Sequence, residues 1–409
     1  MSLEKKYSDL ANLYSKGLYN EIIIEINNIE SKKIFSPKLK NFKGLAYLAM
    51  EKFKEATIFF KEATDEDDRF FKAFNNYDVS LFYNAKYDEA IEKFNKAIEI
   101  NPKYAETYNN KGNLFDHIGK IDEAIKCFKT AINLKPDFFD AKENLIKILT
   151  SDIQVSDNDS EIIKINNQLK KYNFDYNPKK KIKNDNIKKV FSECNFIIDK
   201  YFKNIKVSSN QIFRRNTKNL NCERHFKIFN NYKAIPEYCF DCFKISFDVK
   251  TMIDLIKLYI VFNNIELPNN NIRKCIIEER KEISGNYKGF IYCTGLEEAK
   301  NIKLLVEPLI QKTIGNSLNI SIKHGCSEFA LEHSNFKELN KNSKNYMKYN
   351  PAWKDKENII DKKYFYLKEK KLSKSNKGIH LNDILIIKNW FIYAKSINDD
   401  SCNFLFSSN

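Results

Sequence analysis

The residues with the clearest chemistry lie between Asn221 and Phe243, in the stretch NCERHFKIFNNYKAIPEYCFDCF. Cys222 and His225 form one pair, Cys239 and Cys242 form another, and thirteen residues separate them. Two ligands this close in sequence reach one ion from a tight turn, and three thiolates with one imidazole match a tetrahedral structural zinc site. Four protein ligands leave no position for a reacting water, so the expected zinc is structural. Iron takes the same ligand types, and Cys239 with Cys242 also has the spacing of a redox pair. A thioredoxin-like pair opens a helix after a strand, whereas here a strand is expected to start at once at Phe243. Chance placement of small buried thiols is the remaining alternative. Arg224 and the nearby lysines are expected to favour thiolate formation. Just upstream, Arg214, Arg215 and Lys218 make a candidate anion-binding set. Further on, His324 and Cys326 pair a base type with a nucleophile type. Residues two apart seldom face each other, and no third group orients them, so no catalytic residue is assigned.

Positioning these residues requires a folded scaffold. The chain has 409 residues, 43% of them hydrophobic, which suits two or three domains with real cores. Its net charge is +15, yet residues 1–150 hold 24 basic and 24 acidic side chains, so the excess lies downstream. Residues 201–250 alone carry ten basic and four acidic groups. Such a region suits an acidic partner, nucleic acid included. The excess is almost all lysine in a chain crowded with Lys, Asn and Ile, as coding bias would also produce. Nucleic acid is therefore not the favoured partner. The opening MSLEKKYSDL lacks a signal-peptide core, and no apolar run reaches membrane-spanning length. Nine scattered cysteines suit thiols or metal ligands in a reducing cytoplasm.

A 34-residue ruler aligns the first third of the chain without a gap. The unit at 105–138 has Tyr108, Gly112, Phe115, Gly119, Ala124, Phe128, Ala131 and Pro136. The unit at 71–104 answers with Phe74, Leu81, Ala85, Tyr87, Ala90, Phe94, Ala97 and Pro102. That at 37–70 keeps Gly44, Tyr47, Phe53, Ala56, Phe60 and Ala63, and a weaker unit at 3–36 keeps Leu13, Gly17, Tyr19, Ile22, Ile26 and Ile29. Each unit reads as two antiparallel helices, with small residues at the close approaches and aromatics between. One such unit cannot bury its apolar face alone, so the units must stack.

These units closely resemble the tetratricopeptide repeat family over residues 3–150, with residues 139–149 as an extra covering helix. Glu51 stands where the turn usually has Gly, and Asp68 where the final Pro is expected. The resemblance implies an all-α superhelix whose concave face, lined by first helices, binds a peptide or helix of a partner. Asn41, Asn75 and Asn109 share one groove-facing position, with Asn113 nearby. The positive clamp some members use for C-terminal carboxylates is not evident.

Residues 151–204 read as linker and helices, and 205–409 as an α+β module. Its core, 243–324, runs strand, helix, strand, strand, helix, strand, the ferredoxin-like βαββαβ order. Phe243 to Val249 alternates as a half-buried strand, Thr251 caps one helix and Thr294 the next, and Ser284-Gly285-Asn286 joins two strands. Lys288 to Tyr292 (KGFIY) resembles the start of the aromatic motif of RNA recognition domains, but Ile291 and Gly295 break the pattern. The segments RRNTKNLNCERH, CFDCFK, RKCIIE, YKGFIYC and HGCSEF together resemble an uncharacterised bacterial domain found behind such arrays, which implies one module without an activity. The tail 337–379 has isolated aromatics, with Trp353 an expected anchor, and Asn382 to Lys395 reads as a final helix.

The sequence thus describes a multidomain, non-enzymatic cytoplasmic adaptor. Its repeat groove takes a protein partner, and its zinc-stabilised module takes a second partner or ligand. An enzyme or modifier that recruits substrate through its repeats, and an RNA-binding protein, are the alternatives.

Overall fold

The computed structural model describes residues 3–153, 155, 160–202, 205–283, 285–316 and 318–405. Ser284 of the expected turn and residues 154, 156–159, 203 and 204 of the expected linker and helices lie outside the described residues. The chain forms two compact units. The first comprises Met1–Lys142 and Asp361–Lys371, the second Glu143–Ile360 and Leu372–Asn409. The array thus takes in residues 361–371, far from it in sequence, and ends at Lys142, before the boundary expected near residue 150.

The first unit is a run of helical hairpins: α1 (Leu3–Ser15) with α2 (Tyr19–Glu30), α3 (Pro37–Ala49) with α4 (Phe53–Glu66), α5 (Phe71–Tyr83) with α6 (Tyr87–Ile100), and α7 (Ala105–His117) with α8 (Ile121–Leu134). All four turns are built alike. Gly17, Glu51, Ala85 and Gly119, spaced by 34, each adopt a left-handed conformation with φ between 56° and 80°. The next residue donates its N–H back to the last turn: Leu18 to Leu13 at 3.0 Å, Lys52 to Tyr47 at 2.9 Å, Lys86 to Leu81 at 2.9 Å and Lys120 to Phe115 at 2.8 Å. This closes the orphan carbonyls of each first helix. Glu51 and Ala85 therefore keep the glycine turn geometry, at the steric cost of a Cβ there.

Helix spacing is set by a small residue opposite a ring. A Cβ on Gly44 would fall 2.6 Å from the Phe60 ring, and one on Gly112 would fall 2.6 Å from Phe128. Asp78 occupies the same register in the third hairpin, opposite Phe94. At the far end, Ala141, early in α9 (Phe139–Ile148), joins Ala105 and Ala131 in a buried cluster. Residues 361–371 pack on the array's turns. The Tyr366 ring meets Phe53, Phe82 and Tyr83 with centroids 6.2, 5.7 and 5.0 Å away, and its carbonyl accepts from His117 Nε2 at 2.9 Å. The Tyr364 hydroxyl bonds the Glu51 carboxylate, and the Lys371 N–H donates to the His117 carbonyl at 2.9 Å.

The second unit continues with α10 (Glu161–Leu169), α11 (Asn184–Tyr201), β1 (Gln211–Arg214), α12 (Cys222–Tyr232), β2 (Cys242–Val249), α13 (Met252–Asn264), β3 (Arg273–Ile277), β4 (Tyr287–Thr294), α14 (Leu296–Thr313) and β5 (Asn319–His324). The five strands form one antiparallel sheet in the order β1-β3-β4-β2-β5. Thr251 caps α13 as expected, its Oγ1 accepting from the Asp254 N–H at 3.3 Å. Thr294 does not cap α14. Gly295 holds that position at φ +88°, and the Glu298 carboxylate takes the Thr294 N–H instead.

The half-burial expected of β2 is corrected by the structure, because both of its faces are covered. Phe243, Ile245 and Phe247 are buried on one face, Lys244 and Ser246 on the other. β2 is an inner strand between β4 and β5, so its backbone is paired along both edges. Lys288 beside it is 2% exposed and pairs with Asp248 at 3.2 Å. The helix Leu381–Ser396 buries Ile384, Ile387, Trp390 and Phe391. Its Asp383 closes a buried network, taking both Arg214 Nη atoms (2.7 and 3.2 Å) and the Tyr259 hydroxyl (3.0 Å), while Arg214 Nε donates to Asn263 at 2.7 Å.

Candidate functional site

In the repeat array, amides of the asparagine row bond to asparagines of successive first helices. Asn41, Asn75 and Asn109 are buried, and Asn113 is exposed. Asn76 Nδ2 donates to Asn41 Oδ1 at 2.9 Å, and Asn110 Nδ2 to Asn75 Oδ1 at 3.3 Å. The first helix α3 is thus tied to α5, and α5 to α7, by an amide. The row fixes the repeat-to-repeat spacing of the first-helix face, and Asn113 is its solvent-facing member.

In the second unit, the two Cys/His pairs arrive on different elements. Asn221, left-handed at φ 50°, starts α12 with Cys222 in its first position and His225 one turn on. Pro236 leads into a 3-10 turn, Glu237–Asp241, that carries Cys239, and Cys242 opens β2. The predicted immediate strand is present. A further thiol arrives from β5. Gly325 donates its N–H to the Cys242 carbonyl at 2.7 Å and passes 3.6 Å from the Cys239 carbonyl, measured from where its Cβ would be. Cys326 follows it and packs on the apolar cluster that contains Cys239. His225 is 5% exposed and stacks on Tyr238 with centroids 5.4 Å apart. Among the described residues, no three His, Cys, Asp or Glu side chains converge tightly enough to hold a metal ion.

Lys244, Lys274 and Lys218 favour the thiolates as expected, but burial outweighs them. Burial, and after it the neighbouring Cys326, pushes Cys222 up to about 11 and Cys242 up to about 12; the same causes raise Cys239 well above its ordinary value. Arg224 gives them little relief, because it is paired with buried Glu357 at 2.8 Å. Glu357 also accepts from the Glu237 N–H and the Tyr349 hydroxyl, both at 2.9 Å. A low-pKa redox or nucleophilic thiol needs the opposite environment. His324 is equally unsuited as a base for Cys326. Its ring lies between Phe243 and Phe336, with centroids 4.6 and 4.2 Å away, and its nitrogens face the carbonyls of Phe336 and Phe240 at 2.7 and 3.0 Å.

The upstream cations separate. Arg214 is consumed by Asp383, and Lys218 donates to Thr294 Oγ1 at 2.7 Å. Arg215 lines a recess with Arg273, which the sequence reading did not single out. The ring of Phe290 in the KGFIY segment is 7% exposed and lies under Lys244 and Lys274, whose Nζ atoms are 4.9 and 5.5 Å from its centroid. A ring so covered offers no face to a base. Trp353 does act as an anchor, packing on the cluster around Phe229 and Phe336. No described helix is long and apolar enough to cross a membrane.

Comparison with known proteins bears on the array alone. The family described as Tetratricopeptide repeat matches residues 105–138, and that described as TPR repeat matches residues 80–116. No curated protein matches the chain. Among solved structures, the first TPR of Spaghetti (RPAP3) bound to an HSP90 peptide is 26% identical over 28% of this chain and 90% of its own, with a TM-score of 0.27. YrrB, a TPR protein with an unusual peptide-binding site, is 20% identical over 33% of this chain and 70% of its own, with a TM-score of 0.30. TTC0263, a thermophilic TPR protein of Thermus thermophilus, is 16% identical over 36% of this chain and 81% of its own, with a TM-score of 0.33. The matched residues, 80–138, cover the turns at Ala85 and Gly119, so this part of the chain consists of tetratricopeptide repeats.

Proposed function

We propose that the protein is an adaptor whose repeat array holds an extended peptide or helix of a protein partner on the face made by α3, α5 and α7. The observation that carries this reading is the amide tie between successive first helices, which presets one face before any partner arrives. A preset face lowers the ordering cost of binding. The array should therefore select peptides from a displayed library of unstructured sequences. Changing exposed Asn113 to Lys is expected to weaken them by about tenfold, the scale of one lost interfacial anchor, with the helix signal unchanged. Selected peptides that bind the Asn113→Lys protein as tightly as wild type would contradict it.

The second unit is read as a ligand- or partner-binding module with a ferredoxin-like core, which the order β3-β4-β2-β5 within the sheet supports. We further propose that it takes one structural zinc on Cys222, Cys239 and Cys242, with Cys326 rather than His225 as the fourth ligand. The carbonyl contacts of Gly325 with Cys242 and Cys239 support this choice, as does the stacking of His225 on Tyr238. Because these side chains do not converge here, binding requires them to turn inward and lose their protons. Nine unpaired thiols suit the reducing cytoplasm. Purified protein should contain about one zinc per chain. Cys326→Ser should lose it, and His225→Gln should keep it. Zinc-free protein purified with full thiol protection would refute the site, and loss on His225→Gln alone would restore the original ligand set.

A further inference from the structure

We propose that the recess at the end of β1 and β3 binds a phosphoryl group carried by a small molecule. This inference is independent of the adaptor reading and of zinc. The recess has a volume of about 410 Å³ and is lined by Arg214, Arg215 and Arg273, with Lys374 and Lys377. Arg214 and Arg273 are register partners on the two strands. Like charges opposite each other are unfavourable, and a counter-charge is needed.

Only one of the two has one. Asp383 answers Arg214 at 2.7 Å. Arg273 is 3% exposed, and no carboxylate pairs with it among the described residues. Its Nη1 reaches Asn270 Oδ1 and the Asn271 carbonyl at 3.3 Å each, and its Nε is buried with no hydrogen-bond partner. Burial and Arg214 push its pKa down to about 10, so it is still a cation at neutral pH. A buried charge without a partner is strongly destabilising. A bound oxyanion supplies what is missing, and the planar guanidinium fork matches phosphoryl oxygens.

Two acids also line the recess. Asp152 is exposed, and Glu266 is exposed and pairs with Lys377 at 2.9 Å. The volume exceeds that of one phosphate and lies in the range of small-molecule sites. Ile265 and Leu267 offer an apolar wall for the rest of the ligand. Charge gathered in a recess, rather than spread in a stripe, favours a small phosphorylated compound over a nucleic-acid strand.

Calorimetric titration of the full chain with inorganic phosphate tests this, alongside adenosine monophosphate and a single-stranded oligonucleotide. Saturable 1:1 phosphate binding is expected. Arg273→Gln should weaken it at least about tenfold, and Arg273→Lys should weaken it too, because the fork is lost. Circular dichroism checks that each variant folds, and Arg215→Gln decides the matter should Arg273→Gln not fold. Tighter binding of the monophosphate than of phosphate would place the ligand body on the apolar wall. Absence of saturable phosphate binding, unchanged affinity in the variants, or oligonucleotide binding that phosphate does not displace would each overturn the proposal.

Discussion

Asp383→Ala is expected to cost about 3–5 kcal/mol and to unfold much of the second unit at ambient temperature. The carboxylate is fully buried and serves Arg214 twice, Tyr259 once and the His380 N–H at 3.1 Å. Removing it leaves a buried guanidinium and a buried phenol without their shared acceptor. The Arg214 charge holds the Asp383 carboxyl below its usual range despite burial, so its stabilisation is present above the unfolded carboxyl pKa and is lost as pH falls through the lower folded value. Both tryptophans, Trp353 and Trp390, lie in the second unit, so tryptophan fluorescence in urea reads this unit separately. A loss smaller than about 1 kcal/mol would show that the pair is worth no more than a surface ion pair.

Asp78→Ala should do the reverse and stabilise α5 by about 1–3 kcal/mol at pH 7, the usual penalty of a buried unsatisfied polar group. Asp78 is fully buried and neither carboxylate oxygen has a hydrogen-bond partner. Burial raises its pKa well above the ordinary carboxyl value, and the nearby Val79 N–H, outside hydrogen-bond geometry, offsets this only in part. The sign follows from proton uptake. A raised folded pKa means the native state binds the proton more tightly, so stability falls as pH rises above the unfolded value of 3.8. The gain from alanine should therefore shrink toward pH 3.8 and grow above it. Native-state hydrogen exchange of the α5 amides reads the effect locally. Faster exchange in Asp78→Ala at pH 7 would mean that the carboxylate has a stabilising role.

The array was legible because its determinants are local and recur in register. Turn residues at 17, 51, 85 and 119 repeat every 34 residues, and the glycines opposite Phe60 and Phe128 stand two repeats apart in the same register. Even the departure at Glu51 marked the right turn. Packing of Tyr364 and Tyr366 on those turns was not legible, since they lie more than two hundred residues away and no periodicity links them. Spacing singles out the Cys/His stretch as a candidate, but it cannot see Cys326, which only strand pairing of β2 with β5 brings near. Nor can it see burial, which opposes thiolate formation there, or Glu357, which takes Arg224. Arg273 was missed for a related reason. In sequence it is one more cation in a basic module, and only its register opposite Arg214 exposes the missing counter-charge.

The central claim, a partner held on the first-helix face, is tested most directly by hydrogen exchange of the full chain with and without a library-selected peptide. Added protection is predicted in α3, α5 and α7, with the residues around Asn41, Asn75 and Asn109 slowed most and the sheet of the second unit unchanged. Protection confined to the second unit, with α3, α5 and α7 exchanging as in the free protein, would contradict the adaptor account.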